Sequence, residues 1–155
     1  MPGKKFRFSL QKVLDLRRHE TERARQALAS AKRDLERKEE QLRRARKRLA
    51  KCQNAVEEGE ALRSAELRQA GAFREDARQS VLDARAVVKE ARQRVEEARA
   101  EVQEARHAEE AFEELRDQEK NEFDEEQEKA EIAFFDEQAV LRHARNSHSM
   151  LGQGL

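Results

Sequence analysis

The chain has no tryptophan and no tyrosine, and only one cysteine, one proline and five glycines in 155 residues. Each scarcity excludes something. A lone cysteine, Cys52, cannot form an intrachain disulfide or build a structural zinc site. The one proline, Pro2, precedes any helix interior, so nothing of that kind breaks a helix further along. Hydrophobic residues make up 37% of the chain and charged residues 43%, where a globular domain carries about 25% charged. That is too little apolar material for a compact core, but enough for a seam between two helices. No run approaches the ~20 apolar residues of a membrane span, and the N-terminus lacks the apolar core of a signal peptide. A cytosolic protein is the simplest expectation.

Sites for chemistry are equally scarce. His19, His107, His143 and His148 are the only histidines, and His143 and His148 do not share a helix face well. There is no glycine-rich phosphate loop and no nucleophile–base motif. The many glutamates at i, i+4 spacing read as a solvated helix face. The chain reads as a non-enzyme, with no cofactor and no metal.

What the sequence does hold is a repeat. Val81, Val88, Val95 and Val102 recur at seven-residue steps, and Ala77, Ala84, Ala91, Ala98 and Ala105 follow the same step half a repeat away. Earlier, Leu14, Leu28, Leu35, Leu42, Leu49 and Val56 share one seven-residue grid, with Thr21 its polar member. A helix turns once per roughly 3.6 residues, so a strict seven-residue repeat draws a narrow apolar stripe that supercoils with a partner. The second positions of the first stripe are Leu10, Arg17, Ala24, Ala31, Lys38, Ala45 and Cys52. Two stripes in one chain predict an all-α fold, a long antiparallel two-helix coiled-coil hairpin. The expected layout is a basic lead-in at 1–8, a single coiled coil over 9–145 and a frayed tail at 146–155. The turn falls within 57–75, bracketed by Gly59 and Gly71, with Ser64 a candidate cap. Each helix, about 10–58 and about 73–145, should be on the order of 70–110 Å long.

Local signals refine this. Ser9 is a candidate N-cap, with Phe8 and Val13 at the spacing of a hydrophobic staple. From Phe112 the next apolar stripe residue is Phe123, an eleven-residue step that marks a stutter, and Ala130, Phe134 and Leu141 carry the stripe onward. Phe112, Phe123 and Phe134 therefore read as core. Phe135 cannot share the face of Phe134, and Phe73 adjoins the turn. Both are candidate exposed anchors, with core an equal reading for Phe73. Cys52 reads as a small buried residue rather than a reactive thiol. Arg17 and Lys38 either lay their stems along the seam or, for Arg17, pair with the acidic stretch 113–119.

Net charge is zero but unevenly placed. Residues 1–51 hold 18 Lys/Arg and 7 Asp/Glu, a net of +11, whereas residues 109–137 hold 14 Asp/Glu and 3 Lys/Arg, a net of −11. An antiparallel fold should lay the acidic run beside the start of the basic one and cancel much of the field. This argues against a nucleic-acid site or an anionic-membrane surface.

The opening Phe6-Arg7-Phe8-Ser9-Leu10-Gln11-Lys12-Val13-Leu14-Asp15-Leu16-Arg17 resembles the start of the flagellar export protein FliJ family. Phe112-Glu113-Glu114-Leu115-Arg116-Asp117-Gln118-Glu119-Lys120, then Phe135-Asp136-Glu137, are similar to the family's C-terminal helix. Glu39-Glu40-Gln41-Leu42 and Phe73 are similar to its middle. The resemblance implies a cytosolic stalk-like coiled coil of the flagellar type III export apparatus, peripheral to the inner membrane. It would dock in the export ATPase hexamer, reach the cytoplasmic domain of the export gate protein FlhA through its tip, and bind export chaperones. It also implies site residues: Gln41 and Phe73 at the gate, and Phe6, Phe8 and Phe135 at the ATPase ring. Where relatives carry further aromatics at the gate-contacting surface, this chain has Arg48, Cys52 and Ala77. Read without the resemblance, the same residues also suit a generic coiled-coil scaffold, or a nucleic-acid or membrane binder using the basic first helix.

Overall fold

The structure, a computed structural model, describes residues 4–57 and 64–151. Two α-helices follow a short irregular lead-in: α1, Gln11–Glu57, of 47 residues, and α2, Ser64–Leu151, of 88. They pack against each other as a helical hairpin, with no strand among the described residues. Only residues 58–63 lie between them, and so short a connection sends the second helix back antiparallel along the first. Gly59 and Val56's side chain lie outside what is described.

The start of α1 differs by one residue from the capping expectation. The Leu14 N–H donates to the Leu10 carbonyl at 3.0 Å, and the Gln11 N–H donates to the Phe8 carbonyl at 3.3 Å. The first helical carbonyl is thus that of Leu10, and Ser9 is exposed. Phe8 is buried, and the turn that closes over it takes up the position Ser9 was expected to cap.

Gly71 also differs from expectation. It lies inside α2, which begins at Ser64 rather than near residue 73. A glycine in a helix costs about 1 kcal/mol relative to alanine. Here Ala65, Glu66, Leu67, Arg68, Gln69 and Ala70 before it are strong helix formers and outweigh that cost. At its other end α2 runs to Leu151, six residues past the expected boundary.

The chain divides into two compact units, residues 17–107 and residues 1–16 with 108–155. In the first, the seam follows the seven-residue grid. Thr21, Leu28, Leu35, Leu42 and Leu49 are buried or half-buried, as are Ala24, Ala31, Lys38, Ala45 and Cys52 between them. The facing side of α2 is Ala77, Val81, Val88, Ala91, Val95 and Ala98, all buried, with Ala84, Val102 and Ala105 half-buried. Leu42, Val81 and Val88 form the centre of this core, with Leu35, Ala45, Leu49 and Ala84 packed around them. Thr21, 1% exposed, is accommodated because its hydroxyl donates to the Arg17 carbonyl at 3.1 Å, within its own helix. Lys38 keeps its stem at the seam and reaches Asp34 of α1 at 3.7 Å. The Arg17 guanidinium meets Glu20 at 2.9 Å. An ion pair of Arg92 with Glu39 at 2.9 Å bridges the two helices on the surface, worth no more than about 1 kcal/mol when so exposed. Packing of the seam, not charge, holds this unit.

The second unit is lopsided. It contains residues 11–16 of α1 but 108–151 of α2, about 9 Å of helix against about 66 Å. Leu14 is fully buried and Phe8 is 7% exposed. Along α2 the half-buried positions include Phe112, Arg116, Glu119, Phe123 and Gln127. The step from Phe112 to Phe123 is the eleven-residue stutter expected from the sequence. Beyond Gln127 burial nearly stops, with Gln138 half-buried. Ala130 is exposed, Phe134 is 49% exposed and Leu141 is 44% exposed. The expectation that Phe134 is a core residue is therefore corrected, and Leu141, on the same stripe, is no more covered. Their stripe continues in sequence, but this unit has too little of α1 to cover it.

The acidic run shares a unit with the start of the basic half, residues 1–16, as the antiparallel layout predicts. Residues 17–107 hold 24 Lys/Arg against 18 Asp/Glu, a net of +6, and the other unit holds 9 against 15, a net of −6. The acidic run shares its unit only with Lys4, Lys5, Arg7, Lys12 and Asp15 of the basic half.

Candidate interaction surfaces

Among the described residues, no group of three or more His, Cys, Asp or Glu side chains is arranged to hold a metal ion. No described helix is long and apolar enough to cross a membrane. The features that remain are surfaces.

The first is the far part of α2. Ile132 is 55% exposed, Phe135 67% and Val140 68%, beside the half-exposed Phe134 and Leu141. The rings of Phe134 and Phe135 meet edge to face, with centroids 5.9 Å apart. Five large apolar side chains in ten residues leave this stretch apolar around the helix, with Ile132, Phe135 and Val140 on one side and Phe134 and Leu141 on the other, an exposure of the kind that marks a contact site. The exposure of Phe135 was legible because it sits off the stripe. Ile132 and Val140 were not singled out. Their signal was that they are apolar, large and off the seven-residue grid.

The second surface is an open groove in the same unit, about 460 Å³ in volume, lined by Lys4, Lys5, Phe6, Arg7, Glu119, Glu122, Phe123 and Glu126. The Phe6 ring lies on Phe123 with centroids 5.7 Å apart and planes tilted by 54°. Of the three residues expected at an ATPase ring, Phe135 is therefore exposed, Phe6 is half-buried on α2 and Phe8 is buried. Phe8 presents no side chain to a partner in this conformation.

The third lies in the unit of residues 17–107. Gln41 is exposed on the outer side of α1, in a shallow groove of about 810 Å³ with Ser30, Arg33, Glu36, Arg37, Glu40 and Arg44. Arg43 and Arg44 reach Glu40 at 2.6 Å and 3.0 Å. The Arg44 hydrogen bond, followed by the charge of Arg43, holds the Glu40 carboxyl below its ordinary value. Phe73 is 55% exposed on α2. It does not adjoin a turn; α2 extends nine residues before it. Leu42 packs with Val81 and Val88, so Phe73 lies at least eight residues, about 12 Å of helix, towards the loop end from the level of Gln41. The two candidate gate residues are not neighbours. Any partner touching both must span that distance.

The family model described as "Flagellar FliJ protein" matches residues 6–148, nearly the whole chain, and the chain belongs to that family. It is thereby a component of the flagellar export apparatus, in a family whose role there is non-enzymatic. No curated protein and no solved structure gave a significant match.

Proposed function

We propose that this chain is the stalk and adaptor of the flagellar exporter, seated in the ring of the export ATPase through the far part of α2. One observation carries the reading: α2 outruns α1 and leaves Ile132, Phe134, Phe135, Val140 and Leu141 exposed together. Apolar exposure all round a helix, on a chain that is 43% charged, is stabilised by a partner that encloses it. A hexameric ring offers a central opening into which one projecting helix fits. The net charge of −6 on this unit would help it find a basic collar, through steering that acts mainly on the rate of encounter. Phe8 then contributes by fixing the lead-in beside α2, not by touching the ring.

The other end of the chain serves the export gate. Phe73 and Gln41 are both exposed, which is what contacts require, and they would meet the FlhA cytoplasmic domain along one stretch of the hairpin rather than at a point. Empty export chaperones are the third class of partner. The chain would work on the cytoplasmic side of the inner membrane, held there by the apparatus. The test is hexamer formation by the purified export ATPase. The full chain should raise the hexamer fraction, and a variant with Ile132, Phe134 and Phe135 all replaced by Ser should not. Equal promotion by both would remove the patch from the interface.

A further inference from the structure

Residues 4–7 are not part of either helix, yet they lie along α2. Three carboxylates, Glu119, Glu122 and Glu126, and the Phe123 ring share one face of that helix, at spacings of three, four and seven residues. Against them lie three cations, Lys4, Lys5 and Arg7, around the Phe6 ring. The match is one of composition: three positive charges about an aromatic on one side, three negative charges about an aromatic on the other. The attachment is light. Among the described residues no backbone hydrogen bond holds 4–7, the nearest being that from Gln11 N–H to the Phe8 carbonyl. No ion pair closes between the cations and the carboxylates, and Lys4, Lys5, Arg7, Glu122 and Glu126 are all exposed. Phe8 and Leu14 are the buried residues that secure the chain start, so 4–7 can leave without unseating them.

We propose that the Glu119–Glu122–Phe123–Glu126 face of α2 is a docking site for a basic–aromatic peptide segment of a partner protein, and that the chain's own residues 4–7 occupy it until such a segment displaces them. The groove itself indicates the occupant, since the segment seated there now is of that chemistry. A tethered strap acts as a competitor at high effective concentration. The site is therefore latent, and a partner's apparent affinity falls by the fraction of time the strap is down. This face is separate from the Ile132–Val140 patch proposed for the ATPase ring.

The probe is a fluorescent peptide of residues 1–9, titrated by anisotropy against the full-length chain at low salt. A strap-released variant, Lys5→Glu with Phe6→Ser and Arg7→Glu, should bind it at least tenfold more tightly than the wild-type chain. Adding Phe123→Ala to that variant should return affinity to the wild-type level. Affinity should also fall steeply with salt. Equal binding by wild type and released variant, or no binding by the released variant with its helicity intact, would overturn the proposal. The wild-type chain gives a second reading that does not depend on the variant folding. With fluorinated phenylalanine at position 6, excess peptide should move the Phe6 resonance to its solvent-exposed position. No movement at saturating peptide would also overturn the proposal.

Discussion

Leu42→Ala should destabilise the hairpin far more than Leu16→Ala, although both remove the same atoms from the same helix. Leu42 is 9% exposed and sits with Val81 and Val88 at the centre of the seam; Leu16 is 55% exposed, off the grid. Truncating a buried leucine withdraws about three methylene equivalents from the core, at about 0.8 kcal/mol each. A cavity adds to that, but a seam one layer deep relaxes better than an enclosed core, so the loss should lie near the low end of the 2–5 kcal/mol range. We expect about 2.5–3 kcal/mol for Leu42→Ala and under about 0.7 kcal/mol for Leu16→Ala. With a urea dependence of about 2 kcal/mol per molar, the first shifts the unfolding midpoint by about 1.3 M. Circular dichroism at 222 nm during a urea titration reads both. The slope should stay constant, since a changed slope signals a changed unfolded ensemble rather than a lost contact. Equal midpoints for the two variants would refute the seam as the source of stability.

Three further outcomes follow from the same structure. Gly71→Ala should stabilise the chain by about 0.5–1 kcal/mol, because the position is helical and an added methyl meets nothing within 4 Å; a loss of stability would mean that the turn reaches residue 71 after all. Phe73→Ala should leave the melting curve within about 0.5 kcal/mol of wild type while weakening binding to the gate's cytoplasmic domain about thirtyfold, the effect of an anchor worth ~2 kcal/mol; unfolding, or unchanged affinity, counts against the anchor. The Glu40 carboxyl, held below its ordinary value of 4.5 first by the Arg44 hydrogen bond and then by Arg43, contributes stability that is present above that ordinary value and disappears as pH falls through the lowered one. NMR titration should show it ionising at lower pH than in an Arg44→Gln variant, and coincident curves would contradict the assignment.

The seam was legible because period alone determines it. Once Leu, Ala and Val hold a seven-residue grid, each must face the partner, and from Thr21 to Cys52 and from Ala77 to Ala105 they do. Period does not report how much partner there is. Phe134 and Leu141 keep the spacing of core residues and are exposed because the unit they belong to holds so little of α1. Gly71 misled for a different reason: a single glycine signals a turn only when its neighbours do not favour helix. The uneven charge was legible too: the acidic run shares its unit with the start of the basic half. The exposure of Phe135 was legible from its position off the stripe. Phe8 was proposed for a ring contact on its motif, and its burial gives it a role in holding the lead-in.

The most direct test of the account is the affinity of the chain for its export ATPase, with and without the exposed face of α2. Calorimetric titration of the ATPase with wild-type chain and with Ile132→Ser/Phe135→Ser compares them. Both residues are more than half exposed, so the variant should keep wild-type helicity. Its dissociation constant should rise at least thirtyfold, the loss of one or more anchors worth about 2 kcal/mol. A folded variant that binds as tightly as wild type would contradict the claim that this projecting helix is what the ring holds.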